Sequence, residues 1–401
     1  MSIDTQLEKI KRELIRNPIT STAYFFDLGI MGQQMDSLIH LPQQVETFYA
    51  MKVNPNPRVV ASALTHKNIS GIEIASLGEQ ITAIGENPTP EQLRKIIFTG
   101  PGKQPHEIEK AIGIRHLNVE SELEAHRANE FAKTKGVEQP ILVRLNTKHV
   151  IEGAGVTLGS GSNQFGFPQE NASEVLEKLS KFKNLQIDGF HMYPATGVLN
   201  YENLLKSVEA SFQFLKDIEG QANRRFPVLD FGGGFGVDYS GDNVFDIKGY
   251  SSGLEELIKG FGFNDRTFYL ELGRYLAANM GYFVTKVNDI KTMGDGTKAV
   301  ICVAGTNAHK RPQVLNVDYP LEVISMDVED KFQGQENVAR EDLFNVYGPF
   351  CTSVDKIAWN KSGKIIRVGD YIVQPKAGAY GRTMSPQQFL SHPEIPELFL
   401  P

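Results

Sequence analysis

Between residues 45 and 273, short apolar runs rich in β-branched and aromatic residues alternate with longer segments of helical periodicity. The runs are VETFYAM (45–51), GIEIAS (71–76), KIIFTG (95–100), HLNVE (116–120), ILVRLN (141–146), IDGFHM (187–192), VLDFGG (228–233) and FYLELG (268–273). Amphipathic stretches such as PHEIEKAIG and ASEVLEKLSKF lie between most of them. Strand, helix, strand, repeated, predicts a parallel sheet covered on both faces. Eight such runs with no second sheet interleaved predict an α/β protein built on a (β/α)8 barrel of the TIM type. A doubly wound open sheet is the alternative, and the lack of a G-x-G-x-x-G opening a helix after the first strand counts against it.

After residue 280 the pattern changes. YFVTKVNDI, KAVICVAG, IIRVG and DYIVQPKAG read as strands separated by turn chemistry (GDGT, NKSGK, RVGD) rather than by helices. This predicts a C-terminal antiparallel β domain. The expected division is a barrel over 25–275 and a β domain over 276–401, joined by residues 1–24; AYFFD (23–27) is a candidate strand of that second domain. The N-terminal stretch places Ile3, Leu7, Ile10 and Leu14 on one helical face, with Pro18 after it.

Composition narrows the function. A chain of 401 residues is long for one core and fits two domains. Lys+Arg 41 against Asp+Glu 48 gives a net charge of -7, so no basic footprint for nucleic acid is expected. The two cysteines, Cys302 and Cys351, cannot form a disulfide framework and fit a reducing, cytoplasmic setting. The charged N-terminus has no secretory h-region, and no run approaches a membrane span.

Barrels of this kind carry their chemistry at the C-terminal ends of the strands. Lys52 ends the first run, Glu73 lies in the second and His191 near the end of the sixth. Gly232, Gly233 and Gly234 close the seventh, and Glu271 and Arg274 the eighth. Each has an ordinary reading: a snorkelling lysine, a helix-capping glutamate, a core histidine, a tight turn. Their joint placement on one rim favours a site. DFGGGFG (230–236) lets backbone N–H groups converge on an anion, and Arg274 adds a fixed positive charge. A partly desolvated lysine that forms a Schiff base, a phosphate site and an acid for a pyridinium are what pyridoxal 5'-phosphate needs. No metal ligand is assigned.

Taken in order, YAMKVN, EIAS, FTGPGK, QFGF, GFHMYP, GGGFG, ELGRYL, GPFCTSVD and AGAYG cover nearly the whole chain. The sequence thereby resembles the pyridoxal-phosphate decarboxylases of the alanine-racemase-like fold, the diaminopimelate, ornithine and arginine decarboxylases. The resemblance implies a head-to-tail homodimer with two active sites at the interface and a small-molecule substrate. It implies that Lys52 is the Schiff-base lysine, with Glu73 near it, and that His191 stacks on the cofactor ring. Gly233, Gly234, Arg274 and Tyr380 would hold the phosphate, and Glu271 would pair with the pyridine nitrogen. Cys351, from the neighbouring subunit, would return a proton to Cα.

Three departures bear on substrate. His191-Met192-Tyr193-Pro194 stands where many members have His-Val-Gly-Ser, Gln164-Phe165-Gly166 replaces Lys-Phe-Gly, and Thr352 follows the cysteine where Glu or Asp is usual. That acid receives the distal ammonium of diamine-forming substrates, and a buried threonine offers no such charge. The chain therefore looks like a subgroup acting on acylated amino acids, including siderophore-pathway decarboxylases of citryl-diaminopropionate or N-citrylornithine and one acting on a carrier-bound glutamyl group. Arg311, in AHKRPQ, occupies a place where diaminopimelate decarboxylases bind a distal carboxylate, and His309 and Lys310 stand beside it as assisting residues or as solvated loop charges. Diaminopimelate decarboxylation, a racemase on the same fold and a catalytically inactive binding homologue are the competing readings. Arginine in place of Glu271 would mark the racemase, and loss of Lys52, Cys351 or Tyr380 the inactive homologue.

Overall fold

A computed structural model describes residues 2–18, 20–147, 156–157, 163–193, 195–326, 338–340 and 342–401. The chain divides into two compact units, one of Gly32–Val237 with Asn243–Leu276, the other of Met1–Met31, Asp238–Asp242 and Ala277–Pro401. No described helix is long and apolar enough to cross a membrane.

In the first unit eight parallel strands follow one another around a closed barrel: Val45–Ala50, Gly71–Ile74, Ile96–Phe98, His116–Val119, Gln139–Asn146, Leu185–His191, Val228–Asp230 and Thr267–Leu272. The eighth pairs back onto the first, Phe268 against Val45 through Leu272 against Tyr49, which closes the ring. Each strand falls on one of the eight apolar runs, because a strand buried on both faces has no solvent side on which to alternate. Inside the barrel Phe48, Ile97, Leu142, Val228 and Tyr269 form one cluster. Helices on the outside start and stop where side-chain chemistry directs. Ser121 accepts from Glu124 N to cap Glu122–Lys135, which ends at Gly136 in the left-handed region. Asp246 likewise caps Ile247–Phe261.

The second unit is a curled sheet around the long strand Gly281–Thr292. Thr22–Phe26 pairs with it antiparallel, Tyr24 against Phe283, so residues 25 and 26 lie in this sheet and not in the barrel, and the barrel unit begins at Gly32. Tyr371–Gln374 and Lys298–Cys302 flank the long strand, both antiparallel. Two further pairings are parallel: Thr22–Phe26 with Glu397–Phe399, and Lys298–Cys302 with Phe344–Tyr347. Ile365–Arg367 does not join this sheet but pairs with Val338–Arg340 alone among the described residues. The helix Ile3–Arg16 buries Ile10 and Leu14 against Phe25, Tyr282, Val284 and Val373, while Ile3 stays exposed.

Candidate active site

At the C-terminal rim of the barrel the first strand runs directly into a tight turn, Met51–Val53, that carries Lys52. Its Nζ donates to both oxygens of Glu73, at 3.0 and 2.8 Å. Glu73 is buried in the second strand (1% exposed), whereas the lysine side chain remains 39% exposed. The amine thus sits at an opening with its counter-charge behind it.

Across the rim three buried groups converge. His191 ends the sixth strand, Asp230 the seventh, and Glu271 lies in the eighth; each offers an atom within 4.8 Å of the others. His191 is fully buried, and neither ring nitrogen has a hydrogen-bond partner among the described residues. Burial first, then the charges of Arg144, Lys52 and Lys103, holds its pKa well below the usual imidazole value. Its 3.8 Å approach to Glu271 is therefore a neutral contact and not an ion pair. Glu271 is pushed well above the usual carboxylate range, mainly by burial and then by Asp230 and Glu73. Asp230 is raised to about 6, burial again being the largest cause. Thr99 Oγ1 donates to Glu271 at 3.1 Å and itself accepts from Asn118 Nδ2 at 2.8 Å, which fixes the carboxyl in place.

The glycine loop follows Asp230. Gly232 N donates to Asp230 Oδ1 (2.8 Å), and Glu271 N donates to Gly232 O (2.7 Å). Gly232 has φ +65°, and a Cβ there would meet the Tyr193 ring at 2.4 Å. A Cβ on Gly233 would come within 2.4 Å of the Glu271 carbonyl oxygen. The loop closes through Val198 N to Gly234 O at 2.9 Å. Arg274, buried just past the eighth strand, reaches Thr196 Oγ1 at 3.4 Å. Tyr193 stacks at 19° to His191 with 6.4 Å between centroids, filling space that Gly232 leaves; Pro194 lies outside the described residues.

Two sequence motifs prove to brace this rim. Glu120 accepts from Arg144 (2.7 Å), Gly100 N (2.8 Å) and Gly166 N (3.1 Å), tying the loops of FTGPGK and Gln164-Phe165-Gly166 together. Lys103 is wholly buried and donates to Gly100 O, Asn118 O and Glu124. Asp230, Thr99, Asn118, Arg144 and Glu120 escaped sequence reasoning, although each is a polar residue at or beside an apolar strand run.

The remaining sequence candidates belong to the sheet unit. Tyr380 adopts φ 62°, and the Arg311 guanidinium lies 4.7 Å from its ring centre. Arg311 is buried and donates to Met384 Sδ at 3.5 Å. His309 is neither a solvated charge nor a free assistant: it is a core residue whose Nδ1 lies 3.0 Å from Tyr24 Oη, with its pKa lowered by burial to about 3. Lys310 is half-buried beside it. Cys351 and Thr352 lie on a turn that is exposed in the single chain, where no described residue covers position 352. That turn is held from beneath by buried Asp355, which accepts from Thr306 N and Oγ1 (both 2.7 Å) and from Phe350 N (2.7 Å).

A parallel eight-stranded barrel with a lysine amine, a tight glycine loop and buried carboxylates at one rim carries the set that an enzyme of the pyridoxal-phosphate type requires. The buried, neutral His191 ring, whose nitrogens have no hydrogen-bond partner among the described residues, and the neighbouring carboxyls of Asp230 and Glu271 suit a flat ring with a basic nitrogen. The model of the pyridoxal-dependent decarboxylase family, pyridoxal binding domain, matches residues 30–278, and the chain belongs to that family. It is a carboxy-lyase whose cofactor is pyridoxal phosphate. A Staphylococcus aureus relative, 29% identical over 94% of this chain and 93% of its own length, decarboxylates a 2-hydroxybutanedioate bearing an alanin-3-ylcarbamoyl-methyl arm, in other words a citrate amide. A Helicobacter pylori diaminopimelate decarboxylase is 29% identical over 88% of this chain and 83% of its own. The H. pylori diaminopimelate decarboxylase complexed with L-lysine superposes with a TM-score of 0.84 at 25% identity, covering 97% of this chain and 94% of that one.

Proposed function

We propose that the chain removes the α-carboxylate of an amino acid whose distal nitrogen is acylated, an N-citryl diamino acid of a siderophore pathway, working as a cytoplasmic homodimer with shared sites. Pyridoxal phosphate supplies, when bound, the sink for the electron pair released with carbon dioxide. Lys52 offers the amine to which it attaches, with Glu73 behind it. His191 presents a neutral ring face, and Glu271 the carboxylate for the ring nitrogen. Gly233, Gly234 and Arg274, with Tyr380, serve the phosphate. The Cys351 thiol, on an exposed turn, is available to a neighbouring subunit, where it returns a proton to Cα.

The observation carrying the substrate reading is the chemistry of that turn. Its single acid, Asp355, is buried and engaged by three hydrogen bonds, so beside Cys351 the turn offers only neutral Thr352 and Ser353. Where a neighbouring subunit's site covers this turn, a distal ammonium would lose hydration without compensation, whereas an amide would not. The citrate-amide substrate of the S. aureus relative fits this, and Arg311 is the carboxylate binder for the citryl end.

Steady-state kinetics on N-citryl-ornithine, N-citryl-diaminopropionate, free ornithine and diaminopimelate test the reading. A citrylated substrate should be favoured by at least roughly a hundredfold in kcat/KM. Arg311→Ala should harm the citryl substrate more than the free diamino acid. Equal efficiency on free and citrylated ornithine would sink the proposal. It would return diaminopimelate decarboxylation, the reading favoured by the H. pylori superposition.

A further inference from the structure

Asp230 is a buried acid at this rim to which the proposed mechanism gives no task. It has no solvent exposure, its Oδ1 is used by Gly232 N, and its Oδ2 has no hydrogen-bond partner among the described residues. Its carboxylate lies in the same cluster as Glu271 and His191. We infer that Asp230 is a positioning residue that shares a single proton with Glu271, and so sets the charge that Glu271 presents to the cofactor ring. The inference rests on the reading that Glu271 faces the ring nitrogen.

The physical argument is one of like charges in a dry place. Two carboxylates this close, both cut off from water, do not both ionise; the first proton leaves the pair readily and the second is held. Among the described residues no cation sits within the pair to relieve it, because His191, which shares the cluster, is kept neutral by burial. The charged groups facing the pair are Glu73 from the second strand, Lys52 after the first and Arg144 from the fifth, while Lys103, after the third, bears on His191. Lys52 is engaged by Glu73, Arg144 by Glu120 and Lys103 by Glu124, so each positive charge has an acid of its own. The shared proton is what remains to balance the pair. Asp230 also anchors Gly232, so the residue that tunes Glu271 is the one that shapes the anion loop.

Asp230→Asn separates the two tasks, because its amide oxygen still accepts from Gly232 N while the charge is gone. The visible band of the lysine-linked cofactor, titrated with pH in the holoenzyme, reports the charge at the ring. The position of the wild-type band should shift with pH in two resolved steps, as the acid pair takes up its two protons one after the other. Asp230→Asn should show one step, moved to lower pH by about one unit, since removing a like charge makes Glu271 easier to ionise. Equilibrium dialysis of pyridoxal phosphate should find retention unchanged in Asp230→Asn and weakened about tenfold or more in Asp230→Ala, where the Gly232 acceptor is lost. An unshifted limb in Asp230→Asn, or equal damage in both variants, would make Asp230 structural only and overturn the inference. If Asp230→Asn does not fold, a single-step wild-type limb overturns it alone. Glu271→Gln separates this from the underlying reading: a variant whose ring band matches the wild type means Glu271 does not face the ring nitrogen. A changed band there with no shift in Asp230→Asn removes only the shared proton.

Discussion

Replacing Glu79 by glutamine should stabilise the protein above neutral pH and leave it unchanged in mild acid. Glu79 is the third residue of the helix Leu77–Ile84, capped by Ser76, and its Oε2 accepts from Ala75 N at 2.6 Å. The side chain is half-buried, and its carboxyl is pushed up from 4.5 to about 7, first by burial and then by Glu73, against the pull of Ala75 N and Lys52. The unfolded chain releases this proton near the ordinary value, while the folded chain holds it until neutrality. Stability from this group is therefore lost as pH rises through the interval from 4.5 to about 7, and the full penalty applies above it. At about 1.36 kcal/mol per pH unit the interval amounts to about 3 kcal/mol. Water reaching a half-buried group reduces this to about 1–2 kcal/mol. Glutamine keeps an oxygen for Ala75 N and carries no charge. Calorimetric melts at fixed cofactor concentration should show nearly equal Tm at pH 4 and a gain of roughly 1–3 °C for Glu79→Gln at pH 8. The same difference at both pH values, or a less stable variant at pH 8, would refute the electrostatic account.

Lys52→Ala should lose the visible cofactor band and activity together, and borohydride reduction of the wild type should label Lys52; label on another lysine would overturn its assignment. Mixing Lys52→Ala with Cys351→Ala should restore part of the activity, because a mixed dimer with shared sites contains one intact site; no recovery in verified mixed dimers would argue against sharing. Gly233→Ala forces a Cβ to 2.4 Å from the Glu271 carbonyl and should cost about 1–3 kcal/mol through displacement of that strand end, read as weaker cofactor retention by dialysis.

How much of this was legible depends on what hides a residue. The barrel strands stand out because burial on both faces makes each a compact apolar run, and all eight coincide with the runs read from sequence. The sheet unit is less legible. Glu322–Ile324, Phe344–Tyr347 and Lys356–Lys361 are short and mixed in polarity, and Lys298–Cys302 pairs parallel with Phe344–Tyr347, a partner no local turn announces. At the rim, Lys52, Glu73, His191, Glu271 and Arg274 are visible because they interrupt or terminate apolar runs.

The residues that stayed hidden share one property with those that were found. Asn118 in HLNVE, Arg144 in ILVRLN and Asp230 in VLDFGG also sit inside apolar strands, and all three are buried. In a strand with a solvent face, a polar residue needs no explanation. In a parallel barrel strand neither face is wet, so a polar side chain there loses hydration and persists only where a partner or a task compensates. Arg144 has Glu120, and Asn118 has Thr99. Asp230 Oδ2 has no partner among the described residues, which is why it points to a task. Once the eight runs are assigned to a closed parallel sheet, each polar residue inside one becomes a candidate on physical grounds, and sequence alone would have reached Asp230.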